Sequence, residues 1–399
     1  MVRSQDVLLL RCRACGREYP PRLAHVCDDC LGPLDVLYHY DSIQLNARSF
    51  ENRPRTIWRY IELLPILNRD KMVDLGAGYT TLHKCDRLAK VLGLRHLYVK
   101  DDTVNPTYSF KDRPAAVAVT KAIEFGLSAV GCASTGNLAA ATAAHAAKAG
   151  LSCYVFVPTN LEKNKIIQTG LYGARMVAVG GTYDDANRLA FQAAEEYGWG
   201  LVNVNLRPYY VEGSKTLAFE VCEQMNWVPP DNVIVPTASG ALLCAVWRGF
   251  GEFGLLGLTH GRAVRVHCAQ PEGCSPIVDG FRSGSESVHP VEYPETVAKS
   301  LAIGDPGDGL YALRAIRDSG GGAGKASDSE IIEAVELLAK TEGIFSEPAG
   351  GVVVAVLKKL VEQGEIGADE TTVCYITGNG LKAAESVADR VSIPLQVEP

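Results

Sequence analysis

From about residue 82 to residue 377 the chain alternates short apolar runs with longer helical stretches, and this alternation restricts its fold more than any other feature. The runs at 97–99, 129–132, 153–157, 175–179, 201–204, 232–235, 264–268 and 372–377 are short, rich in β-branched residues and read as buried strands. Helical patterns fill the gaps, at 114–126, 138–149, 183–197, 216–225, 328–341 and 350–363. A strand that returns parallel to its neighbour needs a long crossover, which a helix supplies. The alternation therefore predicts an α/β protein with mainly parallel sheets. At 399 residues the chain exceeds one ordinary core, so two or three domains are expected.

Composition narrows the function classes. Hydrophobic residues at 47% and charged residues at 21% are those of a globular protein. A net charge of -7 argues against a nucleic-acid partner, whose phosphates reward a basic face. The apolar run at residues 7–10 is far too short for a signal core or a span, so no membrane partner and a cytoplasmic location are expected.

The 12 cysteines divide into two groups. Cys12, Cys15, Cys27 and Cys30 form two Cys-x2-Cys pairs eleven residues apart, a spacing that lets four thiolates converge on zinc. Two disulfides are the alternative, disfavoured without a secretory signal. The other eight lie mostly in apolar runs and read as small buried hydrophobes. Residues 1–38 are thus expected to be a zinc-ribbon-like segment folded by its metal, with 39–80 a linker or arm ending in a short helix. The glycine cluster at 320–324 lacks the Lys-Ser or Lys-Thr of a phosphate-binding P-loop and is expected to be a flexible connector.

Four loops after strands carry candidate chemistry. Asn105-Pro106-Thr107-Tyr108-Ser109-Phe110-Lys111-Asp112-Arg113 places Lys111 where a helix begins, as a Schiff-base lysine would be. Ser134-Thr135-Gly136-Asn137 opens an Ala-rich helix, where hydroxyls and N–H groups suit a substrate carboxylate or serve simply as a cap. Ser239-Gly240-Ala241-Leu242 opens another helix, with residues small enough for a phosphate to approach the backbone. Thr377-Gly378-Asn379-Gly380 is glycine-rich, fitting close approach to a flat group or an ordinary turn.

These loops, with Glu212-Gly213-x-Lys215-Thr216, Ile303-Gly304-Asp305-Pro306 and Glu347-Pro348-Ala349, occur in the order found in pyridoxal-phosphate enzymes of fold type II. Over roughly residues 75–385 the chain resembles the threonine synthase branch of that family. The resemblance implies two open, mainly parallel twisted sheets flanked by helices, with 81–101 and 212–399 as the large cofactor-binding domain and 102–211 as a smaller mobile one. It implies pyridoxal 5'-phosphate as cofactor, a structural zinc, an amino-acid substrate and a homodimer. Lys111 would be both the cofactor anchor and the proton carrier. Asn137 would bond the cofactor's 3-oxygen, Ser239, Gly240, Ala241 and Leu242 would hold its phosphate, and Thr377 would face its ring nitrogen. Ser134, Thr135, Gly136 and Asn137 would bind the substrate carboxylate. A neutral hydroxyl at the ring nitrogen makes the ring a weaker electron sink, favouring elimination and replacement over transamination.

Three positions depart from the family pattern. Tyr210 stands where an arginine two residues before the Glu-Gly motif is usual, Tyr108 where glycine is common, and the loop at 238–242 lacks the usual asparagine. Tyr108 and Tyr210 become candidate substrate-binding residues. Conversion of O-phosphohomoserine to threonine and phosphate is the leading expectation. The second reading is β-replacement or dehydration of another amino acid, such as one of specialised metabolism, and a reading from another class is a non-enzymatic zinc-ribbon adaptor on an enzyme-like fold.

Overall fold

The computed structural model describes residues 7–392 other than 160, 261 and 262, so the first six and last seven residues of the expected segments lie outside the described residues. Among the described residues the strands form three sheets. The first is antiparallel and small: β1 (Val7–Cys12) pairs with β2 (Glu18–Tyr19) and β3 (Leu34–Tyr38). The strands β4 (Leu82–Lys84), β5 (His96–Asp101), β10 (Asn232–Pro236), β11 (Arg265–Pro271), β12 (Ala323–Ala326) and β13 (Thr371–Ile376) form the largest sheet, in the order β12-β11-β10-β13-β5-β4. Its pairings are parallel except for β4 against β5. The third sheet, also parallel, has the order β8-β7-β6-β9, from β6 (Ala129–Ala133), β7 (Ser152–Pro158), β8 (Arg175–Val179) and β9 (Gly200–Leu201). The α/β expectation holds, and central strands such as β6 and β10 are buried throughout, as strands covered on both faces should be.

Four expectations need correction. Residues 175–179 form a strand at the edge of its sheet and are mostly exposed or half-exposed. The strand expected at 201–204 stops at Leu201, because the Val204 and Leu206 amides both turn back to the Leu201 carbonyl. The glycine cluster is no flexible connector. Gly321 packs directly on the Val266 main chain, and residues from Ala323 onward add β12 beside β11. The arm after Tyr38 does end in short helices, of 3-10 type, but it is no mere linker, because it is built into the core. Phe50 and Tyr60 join the cluster around Phe219 and Phe253, while Ile57, Trp58, Ile61, Leu64 and Ile66 pack on Ala116 and Val117.

One helix crossing matters most for the site. The helix Arg207–Ser214 lies against the start of the helix Asp112–Glu124, and a Cβ on Gly213 would sit 2.4 Å from the Arg113 carbonyl oxygen. Glycine permits this approach because any side chain would force the helices apart. Gly213→Ala is therefore expected to destabilise the fold by about 1–3 kcal/mol, measurable as a lower urea midpoint with an unchanged slope.

Candidate active site

Parallel pairing puts the carboxyl ends of β5, β10 and β13 on one edge of the large sheet, and the segments leaving them face the segment leaving β6 across a cleft. Lys111, Ser134, Thr135, Asn137, Thr377 and the stretch from Ser239 to Leu242 line it. Tyr210 lines it too. Gly136 begins the helix behind the lining, at a φ of +116°. Tyr108 is not brought in: it is 52% exposed and holds a left-handed φ of +65°. That backbone conformation explains why glycine suits the position.

The motif around Lys111 is a set of cross-braces. The Asn105 amide accepts from Gly78 N–H at 3.0 Å and donates to the Asp102 carbonyl at 3.1 Å. Asp112 Oδ2 accepts from both the N–H and the hydroxyl of Thr107, at 2.8 and 3.0 Å. Phe110 N–H donates to the Thr377 carbonyl at 2.9 Å, fixing this loop to the one after β13. Arg113 is wholly buried on the far side. With its neighbours tied, Lys111 is left to face the cleft, its Nζ donating to the Tyr210 hydroxyl at 2.8 Å. Burial pulls the Lys111 amine down to about 8, and burial likewise pushes the Tyr210 phenol up. The phenol therefore stays protonated while the amine becomes available as a nucleophile near neutrality.

The other loops supply polar groups and few charges. Ser134 Oγ accepts from the Gly136 and Ala139 amides at 2.9 and 3.0 Å, so its side chain is committed to starting the helix Asn137–Ala149. Asn137 Nδ2 donates to Glu347 Oε2 at 2.6 Å, and Glu347 is held by Lys165 at 2.9 Å. The other end of that amide, Asn137 Oδ1, is buried with no partner in the protein. Such an atom awaits a ligand. Gly240, at a φ of +90°, precedes the 15-residue helix Ala241–Leu255, whose first amides open toward the cleft lining. Sequence reading missed Tyr183, Ser300, Leu301, Ile303 and Ala349, which also line the cleft. The Ile303-Gly304-Asp305-Pro306 and Glu347-Pro348-Ala349 motifs were signals for the last two.

A separate cluster lies in the N-terminal segment. The sulfur atoms of Cys12, Cys15, Cys27 and Cys30 all fall within 4.8 Å of one another, with Cys12 to Cys30 at 3.4 Å and Cys15 to Cys27 at 3.6 Å. Tetrahedral zinc with bonds near 2.3 Å separates its sulfurs by about 3.8 Å, so the spacing suits that ion. Gly32 is required beside it, since a Cβ there would meet Cys12 Sγ at 2.9 Å. Of the remaining cysteines, all are buried except Cys244, which is half-buried.

Comparison with known proteins bears on the cleft. A family model described as "Pyridoxal-phosphate dependent enzyme" matches residues 73–378. The chain is 41% identical over 395 residues to a threonine synthase of Methanocaldococcus jannaschii, covering 98% of this chain and 97% of that one. It is 41% identical over 391 residues to a threonine synthase of Methanosarcina acetivorans, covering 98% and 96%. Among solved structures it resembles the diaminopropionate ammonia lyase of Escherichia coli, with a TM-score of 0.67 at 19% identity, over 87% of this chain and 96% of that chain.

The depressed Lys111 amine generates a direct expectation. In apo-protein, competitive acylation followed by mass spectrometry should give Lys111 half-maximal labelling near pH 8, while exposed lysines approach it only near pH 10.5. Because burial is the main cause, Tyr210→Phe should leave that inflection in place.

Proposed function

Since the chain belongs to the pyridoxal-phosphate-dependent enzyme family and is a threonine synthase-like lyase, we propose that it converts O-phosphohomoserine and water to threonine and phosphate, with Lys111 as anchor and proton carrier. An enzyme of this family replaces the adaptor reading. The observation that carries the assignment of roles is the Lys111 amine, lowered to about 8 and facing a cleft whose other walls are helix starts, hydroxyls and an unsatisfied amide oxygen. Those groups fit pyridoxal phosphate: an amine for its aldehyde, the amides at Gly240 to Leu242 for its phosphate, the second amide N–H of Asn137 Nδ2 for its ring oxygen and Thr377 for its ring nitrogen. When bound, the cofactor supplies an electron sink conjugated to the substrate's Cα.

The residues then divide the work. Lys111 Nζ would take the proton from Cα and carry protons between substrate carbons as phosphate leaves Cγ and water adds at Cβ. At pH 7 an amine of pKa about 8 is neutral in about one molecule in ten, against fewer than about one in a thousand for an ordinary lysine. Tyr210 holds that amine in place through its hydroxyl, the position where an arginine is usual in the family. Thr135 and the amides that open the helix Asn137–Ala149 receive the substrate carboxylate. The Cys12, Cys15, Cys27 and Cys30 cluster binds a structural zinc.

β-Replacement on another amino acid remains as a second reading because no arginine lines the cleft among the described residues. Assays of the purified protein with O-phosphohomoserine should release threonine and phosphate in equal amounts, and Lys111→Ala should reduce turnover by at least about a thousandfold. A yellow protein that releases neither product from this substrate would remove the threonine assignment and leave the replacement reading. Metal analysis should find about one zinc per chain, lost in Cys12→Ser.

A further inference from the structure

Asp308 immediately precedes the helix Gly309–Asp318, where an aspartate ordinarily caps the helix with its side chain, and it makes no such bond. Its carboxylate is instead enclosed, with the side chain 2% exposed, between two guanidinium groups. Arg13 Nη1 approaches at 3.0 Å, and Arg207 Nη2 makes a second, closer contact. The two arginines come from different parts of the chain. Arg13 sits between Cys12 and Cys15 in the first cysteine knuckle, where it also grips Asp35 of β3 through bonds of 2.5 and 2.6 Å. Arg207 opens the helix that carries Tyr210.

The main chain of Asp308 meets a third element. Its N–H donates to the Ser239 carbonyl at 2.9 Å, and its carbonyl oxygen lies 2.9 Å from where a Cβ on Gly240 would be. One residue thus touches the cysteine-rich segment, the Tyr210 helix and the loop that opens the helix Ala241–Leu255. We propose that Asp308, clamped by Arg13 and Arg207, is a positioning residue that fixes the Ser239–Gly240 turn so the amides after it converge on the cofactor phosphate. The inference rests on the assignment of that loop to the phosphate. Its physical basis is that glycine at φ +90° has many alternatives, so the turn is held from outside. Two charge-assisted, directional contacts to a buried carboxylate supply that hold. The cysteine-rich segment acquires a function at the cleft through Arg13, although none of its own residues lines it.

The test compares pyridoxal phosphate with pyridoxal, which lacks the phosphate, by absorbance titration of the full-length apo-protein. In Asp308→Asn and in Arg13→Met, pyridoxal phosphate should bind at least about tenfold more weakly while pyridoxal stays within about twofold of wild type, and Arg13→Lys should fall between. If Asp308→Asn does not fold, Arg13→Met carries the same comparison. Equal weakening of both compounds, or no change in either, would overturn the positioning role. A wild type that binds pyridoxal as tightly as its phosphate would instead overturn the loop assignment, and the role with it.

Discussion

The Arg113 guanidinium, wholly enclosed two residues after Lys111, is the interaction on which the cleft depends. It donates to both oxygens of Asp102 at 2.6 and 2.8 Å, to the Thr216 hydroxyl at 3.0 Å and to both oxygens of Glu220. Asp102 follows β5, while Thr216 and Glu220 belong to the helix Thr216–Gln224, so one side chain fastens the Lys111 helix to the end of a central strand and to the helix beside it. Burial alone would raise the Glu220 carboxyl, yet Arg113 and Lys100 outweigh it and hold the group at about 2. With Lys100 at 2.6 Å from Glu220, two cations face two carboxylates and the cluster is balanced. Removing one member would leave a buried charge without compensation, a cost of about 3–5 kcal/mol. The cluster buys orientation: Lys111 has little freedom because its helix is anchored so near.

A second buried network gives the N-terminal segment its place. Tyr38, the last residue of β3, donates to Glu212 at 2.7 Å, and Glu212 and Glu252 share Lys215 at 2.7 and 2.9 Å. Arg248 joins the same carboxylates to Asp35 of β3. The Glu212-Gly213-x-Lys215-Thr216 motif is therefore an interior joint: its glycine permits a helix crossing, its threonine meets Arg113, and its charged pair receives the cysteine-rich segment. A segment this small cannot bury a core of its own. Leu10, Tyr19, Leu34 and Val36 instead share a cluster with Val211 and Leu206, so its folding is coupled to the body it touches.

How much of this was legible in the sequence follows from the range of the interactions. Strands covered on both faces announced themselves as continuous apolar runs, and Lys111 was marked by a dense local motif whose braces span only a few residues, such as Asp112 to Thr107. The place of Tyr210 before the Glu-Gly motif marked it as a site residue, but its direct bond to Lys111, 99 residues away, was not legible, because that contact depends on a glycine-permitted helix crossing. Tyr183 was unmarked for the same reason: it opens a helix with a Thr182 cap and reads as an ordinary amphipathic start. Tyr108 misled in the other direction. A large aromatic beside the key lysine resembles a pocket wall, but its left-handed backbone turns it outward to solvent.

The cleft itself carries a different electrostatic character from the networks around it. Charged groups are numerous just behind its walls, in the pairs of Arg113, Asp308, Lys165 and Lys215, and each is matched by a carboxylate or guanidinium at hydrogen-bond distance. Among the described lining residues Lys111 is the one formally charged side chain. Anionic groups that enter must therefore be met by amides, hydroxyls and helix starts, which are fixed in direction and need no reorganisation. The same scarcity of charge desolvates Lys111 without giving it a carboxylate to stabilise its ammonium form, which keeps the amine reactive near neutrality. Pairing the surrounding charges and baring one lysine are thus two sides of a single arrangement: the paired ions hold the walls rigid, and their neutrality leaves the lysine as the dominant charge inside.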